Sequence, residues 1–257
     1  MRGLISFTYG LAAYIVCQAA MLYYVAFSGN LFVSRSVDVG PGAPWPAAVV
    51  TDLLLLAMFG VQHSVMARSS FKRWWTRFVP TAVERSTYVV ATCAVLIVLF
   101  WFWIPITTPV LWHVERPAGV AILWTLFGLG CVIVVISTFL LDHFELFGLR
   151  QVFARMTNRT LPEASFDTPS LYRYVRHPLY LGFLMGLWAI PTMTAGRLLF
   201  ALGLTAYILV GIAFEERDLL RLFGNRYRAY QEKVGMLFPR GRMPAQTKGN
   251  NLKSEKP

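Results

Sequence analysis

Four stretches of this chain, residues 4–27, 47–66, 86–104 and 119–141, each run for about 20 residues almost without a charge. No other feature restricts the fold as much. In hydrocarbon a backbone N–H or C=O has no water to bond, so a run of that length must close its own hydrogen bonds as a helix. Composition agrees. Of 257 residues, 56% are hydrophobic and 14% charged, where a soluble domain carries about a quarter. The 8 Trp, 11 Tyr and 19 Phe supply rings for the membrane interfaces.

The expected fold is therefore all-α, a polytopic integral membrane helix bundle with four clear spans. A further apolar region, residues 179–214, is broken near Pro191 and Gly196, and each arm is near the lower limit for crossing. It forms either two short spans or a tight helical hairpin, giving five to six crossings. From Glu215 the chain turns polar. We expect an amphipathic helix carrying Leu219, Leu220, Leu222 and Phe223, then a short helix around residues 227–234. Residues 1–240 read as one membrane domain. Residues 241–257, ending KGNNLKSEKP, read as a disordered cytoplasmic tail. At the N-terminus one Arg precedes a run long enough to span, with no clear small-residue cleavage site, so it reads as a first helix and not a removed signal.

Charge sets the orientation. Residues 67–85 hold Arg68, Lys72, Arg73, Arg77 and Arg85 against Glu84 alone; residues 142–178 hold five Arg, and the tail holds ten Lys and Arg. The alternate loops are nearly bare: Arg35 and Asp38, then Glu115 and Arg116, then Arg197 at the hairpin tip. Basic loops stay in the cytoplasm, so both termini are expected there, in a bacterial inner membrane. The net charge of +11 lies in loops between apolar runs and forms no separate domain, which argues against a nucleic-acid partner. Cys17, Cys93 and Cys131 each lie inside an apolar run without a CxxC pair and read as packing residues; no metal site is expected. GLGCVI, from Gly128, lies in mid-span and follows no strand, so it is not a dinucleotide loop. The Asn-Arg-Thr at Asn158 is a formal glycosylation acceptor on the expected cytoplasmic side and is discounted.

Of the four histidines, three fall at one depth: His63 in the last turn of the second span, His143 just after the fourth, His177 opening the fifth region. Gln62, Asp142, Glu145, Glu215 and Glu216 share that level, where ionisable groups are costly unless paired or functional. In YRYVRHPLYLGF, Tyr172 to Phe183, Pro178 suits the first position of a helix and His177 its cap. The free N–H groups and dipole there can hold an anion such as a carboxylate. Gly182 either admits a ligand to the backbone or, with Gly186, packs helices. Glu215 and Glu216 return to the same face, where a carboxylate can bind an amine. An amino-acid-like ligand end fits both sites.

With RHPLYLG followed by EERDLL, the chain resembles the membrane methyltransferases that include isoprenylcysteine carboxyl methyltransferase and phospholipid N-methyltransferases. FGVQHSVMAR (Phe59–Arg68), FKRWWTRFVPTAVERSTYV (Phe71–Val89), STFLLDHFELFGLRQV (Ser137–Val152) and TPSLYRYVRHPLYLGFLMGLWAIPTMT (Thr168–Thr194) are similar to the NnrU-related methanethiol S-methyltransferase branch. The resemblance implies methyl transfer from S-adenosyl-L-methionine to methanethiol, a small volatile thiol, giving dimethyl sulfide. It implies that His177, Tyr180 and Gly182 line the cofactor, with Arg176 or the helix N-terminus near its carboxylate and Glu215 and Glu216 near its amino group or ribose. From their depth, Gln62, His63, Asp142 and His143 are expected to face the acceptor. Because a thiolate is the competent nucleophile, His143 held by Asp142 or Glu145, or alternatively His63, is expected to accept the proton. The alternatives are the same fold acting on another thiol, a prenylated cysteine or a lipid amine, or a membrane haem protein with His63 and His143 as axial ligands. Oligomeric state is left open.

Overall fold

The computed structural model describes residues 2–161 and 166–240; the expected disordered tail lies outside them. Ten helices follow one another: α1 (Arg2–Gly29), α2 (Trp45–Ala67), α3 (Ser69–Trp75), α4 (Thr81–Phe102), α5 (Pro117–Leu140), α6 (His143–Leu146), α7 (Leu149–Thr157), α8 (Pro178–Trp188), α9 (Ala195–Phe223) and α10 (Asn225–Lys233). Strand β1 (Val110–His113) lies between α4 and α5, and β2 (Thr192–Thr194) between α8 and α9. Prolines open the first turn of α2, α5 and α8, where a missing N–H costs nothing.

Five helices, α1, α2, α4, α5 and α9, are long and apolar enough to cross a membrane. With most of their surface apolar and facing outward, they make this an integral membrane protein. α1 packs on α4, α7 and α8; α8 lies along α5; α2 joins α4 to α9. The main core, built from Phe27, Leu55, Leu56, Leu99, Phe100, Trp103, Phe200 and Ile208, fills the space between α1, α2, α4 and α9.

The region after Pro178 is an unequal hairpin. At 11 residues, α8 rises only about 16 Å and cannot cross alone. The chain then continues extended to β2, which pairs antiparallel with β1, His113 opposite Thr192. Since β1 links α4 to α5, the first arm reaches that far end of the bundle. The 29-residue α9 returns the whole distance. The expected separate amphipathic helix after Glu215 is instead the last two turns of α9: Leu219, Leu220, Leu222 and Phe223 continue its hydrogen-bond ladder. The short helix expected near residue 227 is α10.

At the sheet end Arg197 is buried. Its Nε and Nη2 donate to Asp38 at 3.0 and 2.6 Å, and its Nη1 to the Ser28 carbonyl. Thr194 and Asn30 also donate to Asp38. A charge buried at this depth needs such pairing, and the bonds tie the α1–α2 loop to the start of α9. At the opposite end, residues after α10 fold back on the His-Pro turn. Arg176 N–H donates to the Gly235 carbonyl at 2.9 Å and His177 N–H to the Met236 carbonyl at 3.1 Å, and Leu237 enters the core.

Candidate functional site

His177, Tyr180, Glu215 and Glu216 meet where the start of α8 faces the last turns of α9. His177 is buried, with Nε2 at 3.1 Å from Glu216 Oε1 and Nδ1 at 3.8 Å from Glu215 Oε2. The two glutamates divide. Glu216 also accepts from Arg176 Nε at 2.7 Å and from Gln231 Nε2 at 2.9 Å, and its side chain is 17% exposed. Arg176 Nη1 donates to the Gln231 and Val234 carbonyls, at 3.0 and 2.7 Å. Both therefore hold α10 and the chain after it to the turn. Glu215 is 43% exposed and touches only His177 and the Tyr180 hydroxyl. Of the two carboxylates it is the more exposed.

Gly182 faces away from this cluster. A Cβ there would stand 2.6 Å from the Gly130 carbonyl oxygen, and one at Gly130 would stand 2.7 Å from the Gly182 oxygen. The pair lets α8 and α5 touch backbone to backbone. Gly186, the expected second member of the small-residue pair, has open space around it.

His63 and His143 have the same local chemistry. Thr92 gives its proton to the Tyr88 carbonyl, so it accepts from His63 Nδ1 at 3.2 Å. That leaves His63 Nε2 to accept from the Tyr88 hydroxyl at 2.8 Å. Likewise Thr138 donates to the Val135 carbonyl and accepts from His143 Nδ1 at 2.9 Å, while Tyr14 donates to His143 Nε2 at 2.9 Å. Each imidazole is thus held with its Nδ1 protonated and its Nε2 basic. Neither pair of ring nitrogens is left open for an axial bond.

The surroundings separate them. His143 is boxed by Tyr14, Phe139, Phe144 and Phe147, with Phe139 stacked at 4.3 Å. Burial holds it below the ordinary imidazole pKa. Asp142 does not touch it. It caps α6 by accepting from Glu145 N–H at 3.1 Å, pairs with Arg150 and borders an open hollow of about 510 Å³ between α1 and α7. Glu145 likewise turns to Arg150. A left-handed Gly148, where a Cβ would meet Ser86 at 2.8 Å, fixes the turn that leads to α7. Another hollow, about 770 Å³, lies between Gly3 and Arg159 and is not lined by His177.

His63 instead looks toward α9. Its ring stacks on Phe59 and lies edge-on to Tyr207, centroids 5.4 and 6.0 Å apart. Tyr207, Gly211 and Glu215 are four residues apart, which puts them on one face of α9. A Cβ at Gly211 would stand 4.0 Å from the Tyr180 hydroxyl. A continuous line thus runs from His63 past Tyr207, Gly211 and Tyr180 to Glu215 and His177. Gln62, beside His63, donates to Met66 Sδ and Thr92 while its buried carbonyl oxygen has no partner. Arg68, at the end of α2, lies over the Phe214 ring and only 3.8 Å from the exposed Asp218, so it remains a loosely held cation near this line. Tyr88, Thr92, Tyr207 and Arg68 were missed in the sequence. The fourfold spacing Tyr207–Gly211–Glu215, repeated as Phe59–His63 and Tyr88–Thr92, was the signal for them.

These features define a class: an integral membrane helix bundle with a polar, aromatic-walled site at one end. Within it the chain belongs to the NnrU family, whose signature, described as NnrU protein, matches residues 53–241. The chain is 51% identical over 239 residues to the methanethiol S-methyltransferase of Mycobacterium tuberculosis, covering 93% of this chain and 98% of that one. It is 50% identical over 231 residues to the protein of the same name from Pseudomonas deceptionensis, with 90% and 88% covered. Nurim of Bos taurus is 31% identical over 235 residues, with 81% and 87% covered. No solved structure matches the chain.

Proposed function

We propose that this protein methylates methanethiol to dimethyl sulfide with S-adenosyl-L-methionine as donor, from the cytoplasmic face of a bacterial inner membrane. The observation that carries this reading is the identity of about half over nine-tenths of the chain to relatives bearing that activity in their names. The site fits such a donor. Glu215 offers a half-exposed carboxylate for an α-amino group. The first turn of α8, whose opening N–H groups have no helical partner, and the loosely held Arg68 offer positive charge for a carboxylate. Between them Gly211 puts no side chain on the α9 face that meets the Tyr180 hydroxyl.

When bound, the donor supplies an electrophilic methyl group on a sulfonium sulfur. The chain's part is to bind, orient and deprotonate. His63 Nε2 is the basic nitrogen that faces the line to Glu215, so we assign it the thiol proton, passed through the Tyr88 hydroxyl. The S–H bond breaks as the proton goes to the Tyr88 oxygen, and the Tyr88 proton goes to His63, leaving thiolate and imidazolium. His143, closed in by rings, is given a structural role.

The test is a headspace assay: purified protein, S-adenosyl-L-methionine and methanethiol, with dimethyl sulfide measured by gas chromatography. Wild type is expected to form it. His63→Ala is expected to lower turnover by about 10²–10⁴-fold, with partial rescue at higher pH, while His143→Ala keeps turnover at temperatures where it stays folded. Absence of dimethyl sulfide with wild type overturns the reading.

A further inference from the structure

Three tyrosines separate the base from the amine-binding carboxylate, and each comes from a different helix: Tyr88 from α4, Tyr207 from α9 and Tyr180 from α8. Tyr88 and Tyr207 flank the His63 ring at 5.1 and 6.0 Å. Tyr180 stands 5.6 Å from the His177 ring and its hydroxyl lies over Gly211, one turn from Tyr207 on the same face of α9. The hydroxyls lie within one another's electrostatic reach, and that of Tyr207 reaches Ser64 beside His63. The ring neighbours of His63 are Phe59, Tyr88 and Tyr207, none of them acidic.

Resting on the donor reading above, we infer that Tyr88, Tyr180 and Tyr207 form a neutral aromatic collar that binds the sulfonium centre of the donor. The geometry leaves little choice of place. The amino-acid end lies at Glu215 and the thiol is deprotonated at His63, so the sulfur that carries the methyl group has to sit between them. A trialkyl sulfonium cannot donate or accept an ordinary hydrogen bond. What stabilises it is the negative face of a ring and the lone pairs of a hydroxyl oxygen. Tyrosine supplies both. Neutral rings also suit a charge that is spent in the reaction, because a carboxylate at that point would favour the charged ground state. The collar therefore distinguishes a charged sulfur from a neutral one, a property that neither Glu215 nor the α8 N-terminus provides.

The experiment compares S-adenosyl-L-methionine with S-adenosyl-L-homocysteine, which lacks the methyl group and the sulfur charge. Affinities of both are measured by calorimetry on the full chain in detergent, for wild type, Tyr207→Leu, Tyr207→Phe and Tyr180→Leu, with melting temperature as the check on folding. Tyr207→Leu is expected to weaken S-adenosyl-L-methionine by about 3- to 30-fold, the range of a desolvated cation–ring contact, and to leave S-adenosyl-L-homocysteine unchanged. Tyr207→Phe, which keeps the ring, is expected to retain most of the preference. Tyr180→Leu gives the same readout if the change at residue 207 prevents folding. Equal loss of both ligands, or no loss of either, overturns the collar while leaving the donor site standing. Wild type that binds neither ligand overturns the donor reading itself, and the collar with it.

Discussion

Glu215 and Glu216 are neighbours with identical chemistry, yet on a helix they point about 100° apart. That rotation sends Glu216 into Arg176, His177 and Gln231 and leaves Glu215 half exposed beside Tyr180. Removing one member of a buried, hydrogen-bonded pair leaves the other charge uncompensated, at a cost of about 3 kcal/mol. Glu216→Gln is therefore expected to lower the melting temperature of the detergent-solubilised protein by several degrees. Glu215→Gln is expected to melt like wild type but to bind S-adenosyl-L-homocysteine about tenfold more weakly, the loss of a charge-assisted contact. Calorimetry and thermal unfolding of both variants check this, and the reverse pattern would exchange their roles. The sequence led to the expectation that both residues lie at one depth. It could not divide them, because the division depends on where α10 and the segment after it return.

At the scale of elements, α8 shows how one small residue serves packing. Gly182 presses on Gly130 of α5, whereas a Cβ added at Gly186, one turn on, would meet nothing within 4 Å. Gly182→Ala forces the helices apart at an overpacking cost of about 1–3 kcal/mol. Gly186→Ala adds only helix propensity, a gain of about 0.5–1 kcal/mol. Thermal unfolding should therefore move in opposite directions for the two variants. If Gly182→Ala instead left stability alone and abolished cofactor binding, Gly182 would line the ligand site. Residues 179–214 form the hairpin that was one of the two expected arrangements, with arms of unequal helical length. Apolarity measures what a segment can bury, not how far it travels, and the short α8 reaches the far end only because the extended residues after it pair with β1.

For the whole molecule, that pairing puts residues 110–113 and 192–194 at one end, opposite the His177 cluster, and six crossings are expected from it. In a background without the native cysteines, Leu111→Cys and Thr192→Cys are both expected to react with a membrane-impermeant maleimide from outside the cell. A reporter fused after Gly249 is expected to give the cytoplasmic signal. Labelling of the two cysteines from opposite sides would overturn the sixth crossing, and an external Gly249 reporter would invert the orientation. What the sequence by itself determined is the class and the spans, because long uncharged runs must be helices in lipid; from them follows the expected depth of each polar residue. It also carried the family, in stretches such as QHSVMAR and DHFELFGLRQV. Only the tertiary structure decided which residues at that depth share a site. His63 and His143 each bond one Tyr and one Thr in the same way. Yet α2 turns one toward α9, while α1, α5 and α6 close the other in. Depth is a property of distance along a helix, which sequence records, whereas the facing of one helix toward another is set by side chains meeting from segments far apart in the chain.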